Sequence, residues 1–103
     1  MELGLINIGI AVGATAAGRA RSVREVVRRI FIKVAAAQDR ALQPLADDLP
    51  LIDSGVDSLC IAVIVAELER ELGFDPFLDL DESRFPADFG DFVRLYESAA
   101  ASR

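Results

Sequence analysis

Asp53-Ser54-Gly55-Val56-Asp57-Ser58-Leu59 runs directly into the apolar stretch Ile61-Ala62-Val63-Ile64-Val65-Ala66. The junction reads as a turn that becomes a long helix. Ser54-Gly55 is turn chemistry, and Gly55 permits a backbone angle that other residues reach only at a cost. Asp57 suits the N-cap, because its carboxylate can accept the unpaired N–H groups of the first turn. Ser58 then falls on that first turn, with its hydroxyl exposed and held still. The helix is expected to span Ser58 to Leu72. Gly73 fits the position just past its end, where a left-handed residue is wanted.

Working outward, Leu59, Ala62, Val63, Ala66 and Leu68 are expected to supply apolar contacts, while Glu67, Arg70 and Glu71 face water. Upstream, Ser22-Val23-Arg24-Glu25 is a capping box. Val23, Val26, Val27, Ile30, Phe31 and Val34 follow it at helical spacing. This predicts a first helix over Val23–Gln38 whose arginines lie on the opposite, solvated face. Pro44, Pro50 and Asp47-Asp48 make residues 39–57 a long loop. Loops of this length in small domains are usually functional. Leu42, Leu45, Leu49, Leu51 and Ile52 are candidates to pin it to the core. Downstream, a short helix is expected near Asp81–Phe85, ahead of Pro86. A last helix then starts at Phe89, with Phe89, Phe92, Val93 and Tyr96 inward and the chain fraying from Ser98. No segment has the period of a strand.

Composition limits what such a bundle can do. The 103 residues make one domain, and 52% of them are hydrophobic, so a core is available. The net charge of −6 disfavours nucleic acid and anionic membrane as partners and favours basic ones. The charge is uneven: Arg19, Arg21, Arg24, Arg28, Arg29 and Lys33 cluster early, and acids dominate from Asp39 to Glu82. Histidine is absent, which removes the commonest general base and metal ligand and argues against an enzyme or a metal site. The single cysteine, Cys60, cannot form an internal disulfide, which points to a reducing cytoplasm. Cys60 near a helix N-terminus has no histidine partner for catalysis and reads as a small, half-buried packing residue. The Gly-rich, apolar residues 1–18 lack the basic start of a signal peptide, since Glu2 stands there, and are too interrupted to span a bilayer.

The Asp57-Ser58-Leu59 junction, the helix ending Glu67-Leu68-Glu69-Arg70-Glu71-Leu72-Gly73 and the closing Phe89-Gly90-Asp91-Phe92-Val93 together resemble acyl and peptidyl carrier proteins, over about residues 22–97. The resemblance implies an all-α fold, a small four-helix carrier-protein bundle of three main helices and one short one, with a long loop between helices 1 and 2. It implies a flexible N-terminal extension over 1–21, a carrier domain over 22–98 and a frayed tail over 99–103.

It also implies a carrier, not a catalyst. Ser58 would bear a covalent 4′-phosphopantetheine arm from coenzyme A, on which acyl or aminoacyl cargo is held as a thioester. Asp57, Leu59 and Gly55 complete that site. Asp57 serves as cap and as contact for a basic residue of the phosphopantetheinyl transferase, which supplies the magnesium and the activating base. Leu59 either straddles core and surface or is ordinary core, and Ser58 has the alternative role of a second cap.

Partner enzymes, meaning the transferase, an acyl- or aminoacyl-loading ligase and downstream biosynthetic enzymes, would meet Glu67, Glu71, Asp75 and Val63. Further acids at Glu69, Asp79, Asp81 and Glu82 are also available. Carriers of fatty acid synthesis place acids early in this helix, where Cys60, Ile61 and Val63 stand here, and this suggests different partners. The Phe74-Asp75-Pro76-Phe77 ending and the stretch from Phe85-Pro86 to Phe89-Gly90-Asp91-Phe92 resemble more the discrete carriers loaded by amino-acid–carrier ligases. Of Phe74, Phe77, Phe85, Phe89 and Phe92, most read as core, and some as lining a cargo groove. The expected protein is a cytoplasmic monomer. The competing reading is an unmodified helical interaction module with a carrier-like fold.

Overall fold

A computed structural model describes residues 23–78 and 80–102. The Ser22 capping box, the 1–21 extension and Asp79 lie outside the described residues. Among the described residues, three α-helices carry the fold: α1 over residues 23–37, α2 over Ser58–Leu72 and α3 over Phe89–Ala101. Two 3₁₀ turns, Leu51–Asp53 and Glu82–Arg84, interrupt the connections. The second is the short helical segment expected before Pro86. The first, inside the long loop, was not expected. No strand occurs among the described residues, so the all-α bundle with a long loop after its first helix is the observed architecture.

The core is built from one stripe of each helix. Val27, Ile30, Phe31 and Val34 of α1 meet Cys60, Ile64 and Leu68 of α2, and Phe89, Phe92, Val93 and Tyr96 of α3. The Phe31 ring stands edge-on to both Phe89 and Phe92, each with centroids 5.2 Å apart. This geometry sets the positive ring edge against a negative ring face. The inward face of α3 is the one the aromatic spacing indicated. Helix α3 runs on to Ala101, past the point at which fraying was expected. Its start is capped by Asp88, whose Oδ1 accepts from the Asp91 N–H at 2.8 Å.

The inward face of α2 differs from the expected one. Leu68 is buried as expected, but Ala62 and Ala66 are exposed and Val63 is half-buried. Leu59 is 64% exposed. Cys60 is fully buried, not half-buried. Almost every position from Leu59 to Ala66 is apolar, so hydrophobicity alone does not mark one stripe. Packing into the shared core chooses the Cys60–Ile64–Leu68 row.

The α1 cations also differ from the reading of a merely solvated face. Arg24 donates to Asp47 at 2.8 and 3.3 Å, Arg29 to Glu71 at 3.1 Å and Lys33 to Glu67 at 3.3 Å. Arg28 lies over the Phe89 ring at 5.7 Å and donates to the Leu45 carbonyl. Each exposed pair stabilises by well under about 1 kcal/mol. Together they orient α1 toward the loop and α2.

The long loop is stitched to the start of α3. Leu51 N–H donates to Ala87 O and Phe89 N–H to Leu49 O, both at 2.9 Å, which makes the isolated bridge between Pro50 and Asp88. Gly90 N–H donates to Asp47 O at 2.8 Å. Leu45 and Leu51 are buried and Leu42 and Leu49 partly so, as the anchoring reading required. Ile52 is the exception at 89% exposed, because the 3₁₀ turn points it outward. The loop therefore holds the N-terminus of α2 in a fixed place.

Candidate attachment site

The site forms at the join between that loop and α2. Ser54 is buried and its hydroxyl donates to Leu51 O at 2.6 Å, closing the 3₁₀ turn. The Gln43 N–H donates to Ser54 O at 2.9 Å, tying the two limbs of the loop together. Gly55 follows at φ 104°, in the left-handed region, and Val56 is buried beneath it. Asp57 is extended, at φ −100° and ψ −175°, and caps α2: its Oδ1 accepts from the Cys60 N–H at 2.9 Å. Its other oxygen, Oδ2, accepts from the Arg40 guanidinium. These bonds, led by the Cys60 N–H and joined by the Arg40 charge, hold the Asp57 carboxyl below its ordinary range.

Ser58 is the first residue of α2 and is exposed. Its hydroxyl has no hydrogen-bond partner among the described residues, so Asp57 caps the helix alone. The unpaired N–H groups of the first turn and the helix dipole give this end a partial positive charge. A single negative charge attached here is therefore favoured.

Ser58 opens onto a groove of about 990 Å³. Ile61 and Val65 of α2 line it together with Phe77, Leu80 and Phe85. Arg40, Asp57 and Asp81 are the charged groups in its lining. Of the phenylalanines, Phe77 and Phe85 line this groove, Phe89 and Phe92 are core, and Phe74 is half-buried against Tyr96.

The expected partner residues are more dispersed. Glu67 and Glu71 are engaged by Lys33 and Arg29, as above. Asp75 is half-buried and turns the chain by accepting from the Phe77 N–H at 2.9 Å. Val63 faces a shallow hollow with Ala62, Ala66, Glu67 and Arg70. Sequence reasoning missed Arg40. A lone arginine in a loop carries no periodic signal, and only the fold brings it across to Asp57. Among the described residues, no group of three or more His, Cys, Asp or Glu side chains is placed to hold a metal ion. No helix among them is long and apolar enough to cross a membrane.

Residues 25–92, which span α1, the loop, α2 and the start of α3, match the family model described as the phosphopantetheine attachment site. The chain belongs to that family. No curated protein and no solved structure matches it. Members of the phosphopantetheine-attachment family carry 4′-phosphopantetheine covalently. The domain is thus a carrier, not a catalyst. The residues present fit such a group: an exposed serine hydroxyl, unpartnered among the described residues, stands at a positive helix end beside a groove.

Proposed function

We propose that Ser58 is the attachment residue and that the protein carries acyl or aminoacyl intermediates between biosynthetic enzymes. The observation that carries this reading is the free Ser58 hydroxyl at the N-terminus of α2, inside the family match. Two other serines fall within residues 25–92. Ser54 is buried with its hydroxyl committed to Leu51 O, and Ser83 sits in a 3₁₀ turn away from any long helix.

In this reading Ser58 Oγ attacks the pantetheine-bearing phosphorus of coenzyme A, a base on the transferase takes its proton, and the pyrophosphate bond breaks with release of adenosine 3′,5′-bisphosphate. Asp57 holds the first turn of α2 and meets a basic residue of that transferase. Gly55 sets the turn that presents the serine. Exposed Leu59 lies against the incoming enzyme. When bound, the group supplies a terminal thiol that holds the cargo as a thioester, whose carbonyl stays electrophilic. The apolar lining of Ile61, Val65 and Phe77 suits an apolar part of that cargo.

Partners are the phosphopantetheinyl transferase, a loading ligase and downstream enzymes. Val63, flanked by exposed Ala62 and Ala66, gives them an apolar contact. Glu67, Glu71 and Asp75 give them charge. Glu67 and Glu71 can exchange Lys33 and Arg29 for a partner's cations at little cost, because exposed pairs are nearly isoenergetic. The lone cysteine supports a cytoplasmic site, and the protein acts as a monomer.

Intact mass after incubation with coenzyme A, magnesium and a broad-specificity transferase tests this reading. A gain of about 340 Da, the formula mass of one arm, is expected for the wild type and not for Ser58→Ala. A folded wild type that gains nothing favours the unmodified interaction module.

A further inference from the structure

We propose that Arg40 is the residue that receives the negative charge created when Ser58 is modified, bridging the new phosphodiester and the Asp57 carboxylate. This rests on Ser58 being the attachment residue. Three features of the structure lead to it.

Arg40 is held in place by its backbone. Helix α1 ends with Asp39 in the left-handed region at φ 59° and the Arg40 N–H bonded back to Ala35 O at 2.8 Å. This is a Schellman-type close, which fixes where the next side chain starts. From there the guanidinium reaches across the loop to the N-cap of α2.

Its donors are mostly unused. A guanidinium has five N–H groups in a planar fork. Arg40 makes one side-chain hydrogen bond, to Asp57 Oδ2, and the rest of the fork has no partner among the described residues. Its side chain is 43% exposed, so those donors are reachable.

The charge balance needs it. A phosphodiester on Ser58 places a second anion one residue from the Asp57 carboxylate. Among the described residues, Arg40 is the only cation lining the groove that both face. A lysine-like point charge would serve one anion at a time, whereas the fork can serve two.

The test compares unmodified and loaded protein for wild type, Arg40→Gln and Arg40→Lys. Loaded and unloaded forms are identified by intact mass and melted at low salt. The glutamine variant keeps a polar, neutral side chain but loses the charge and the fork. Loading is expected to leave the wild-type melting midpoint unchanged or raised. It is expected to lower that of Arg40→Gln by about 2–4 °C relative to its own unloaded form. Arg40→Lys should fall between, and about 0.5 M salt should shrink the difference. The phosphorus NMR shift of the loaded arm should also move between wild type and Arg40→Gln. An identical midpoint change on loading in all three proteins, with an unmoved phosphorus shift, overturns the Arg40 proposal alone. Absence of the mass gain in the wild type overturns the Ser58 reading and this proposal with it.

Discussion

The carbonyl oxygen of Ala41 lies directly where a side chain on Gly55 would have to begin. The two residues sit on opposite limbs of the long loop, and their approach lets Ser54 O accept from Gln43 while Asp57 reaches the start of α2. Gly55 is also at φ 104°, a conformation that L side chains rarely adopt. Gly55→Ala therefore meets backbone strain and a backbone collision together. The expected cost is at least about 1–3 kcal/mol, read as a lower urea midpoint. If Ser58 bears the arm as proposed, loading should slow as well, because the loop that presents it must shift. Full wild-type stability in this variant would mean that the limbs can separate freely.

Asp57 has two jobs, and two substitutions separate them. Asp57→Asn keeps an oxygen for the Cys60 N–H but loses the charge facing Arg40. Asp57→Ala loses both. The melting midpoint should fall in the order wild type, Asn, Ala, with the larger step at Ala, because the cap satisfies an otherwise unpaired N–H. Equal loss in both variants would make the ion pair, not the cap, the dominant contribution.

Acid should weaken the fold through two carboxylates. Asp47 is held below its ordinary 3.8 chiefly by its hydrogen bond to Arg24, and Asp57 chiefly by the Cys60 N–H. A depressed carboxyl binds its proton more weakly in the folded state than in the unfolded one. Its contribution is thus present above the unfolded value and is lost as pH falls through the folded value. The midpoint should stay level from neutral pH to about 5 and drop below about 4. Asp47→Asn and Asp57→Asn should each shallow that drop. An unchanged acid limb in both variants would assign it to other groups.

How far the sequence could be read depended on local chemistry. The ends of α2 were legible because each carries its own stop: the Asp57 carboxylate at one end, and Gly73 in the left-handed region at φ 89° at the other. The buried face of α3 was legible because Phe89, Phe92, Val93 and Tyr96 stand apart from polar neighbours. The buried face of α2 was not, since a run apolar on nearly every side is compatible with several rotations of the helix. The pairing of α1 cations with Asp47, Glu67 and Glu71 spans 23 to 42 positions along the chain, a separation no local pattern encodes. The place of Ser58 at the start of α2 was legible from its neighbours, but the groove beside it and the reach of Arg40 to Asp57 depend on how the loop closes on α2.

Phe92 ties three other aromatic rings into the core. It is fully buried and its ring meets Phe31 edge-on, with Phe77 and Tyr96 packed beside it. Phe92→Ala should cost about 3–5 kcal/mol, a large share of the stability of a domain this size. Phe92→Leu keeps most of the volume and should cost markedly less. Denaturant melts of both variants check this. A small loss in the alanine variant would mean that Phe77 collapses into the space.

Tyr96 offers the opposite sign. Its ring fills the core between Phe92, Phe74 and Phe77, yet its hydroxyl is buried without a hydrogen-bond partner among the described residues. Burial, reinforced by the negative charges of Asp75 and Glu69, pushes its ionisation well above the usual tyrosine range, so the group stays neutral at any working pH. A hydroxyl that gives up its bonds to water and gains none in return opposes folding by about 1–3 kcal/mol. Tyr96→Phe removes that oxygen and leaves every ring contact in place. The variant should melt higher than wild type by several degrees, since about 1 kcal/mol corresponds to roughly 4–8 °C in a domain of this length. The gain should be independent of pH between about 5 and 8, because no charge is involved. A lower melting point would mean that the hydroxyl is satisfied by an ordered internal water, and loss of that bridge would then account for the change.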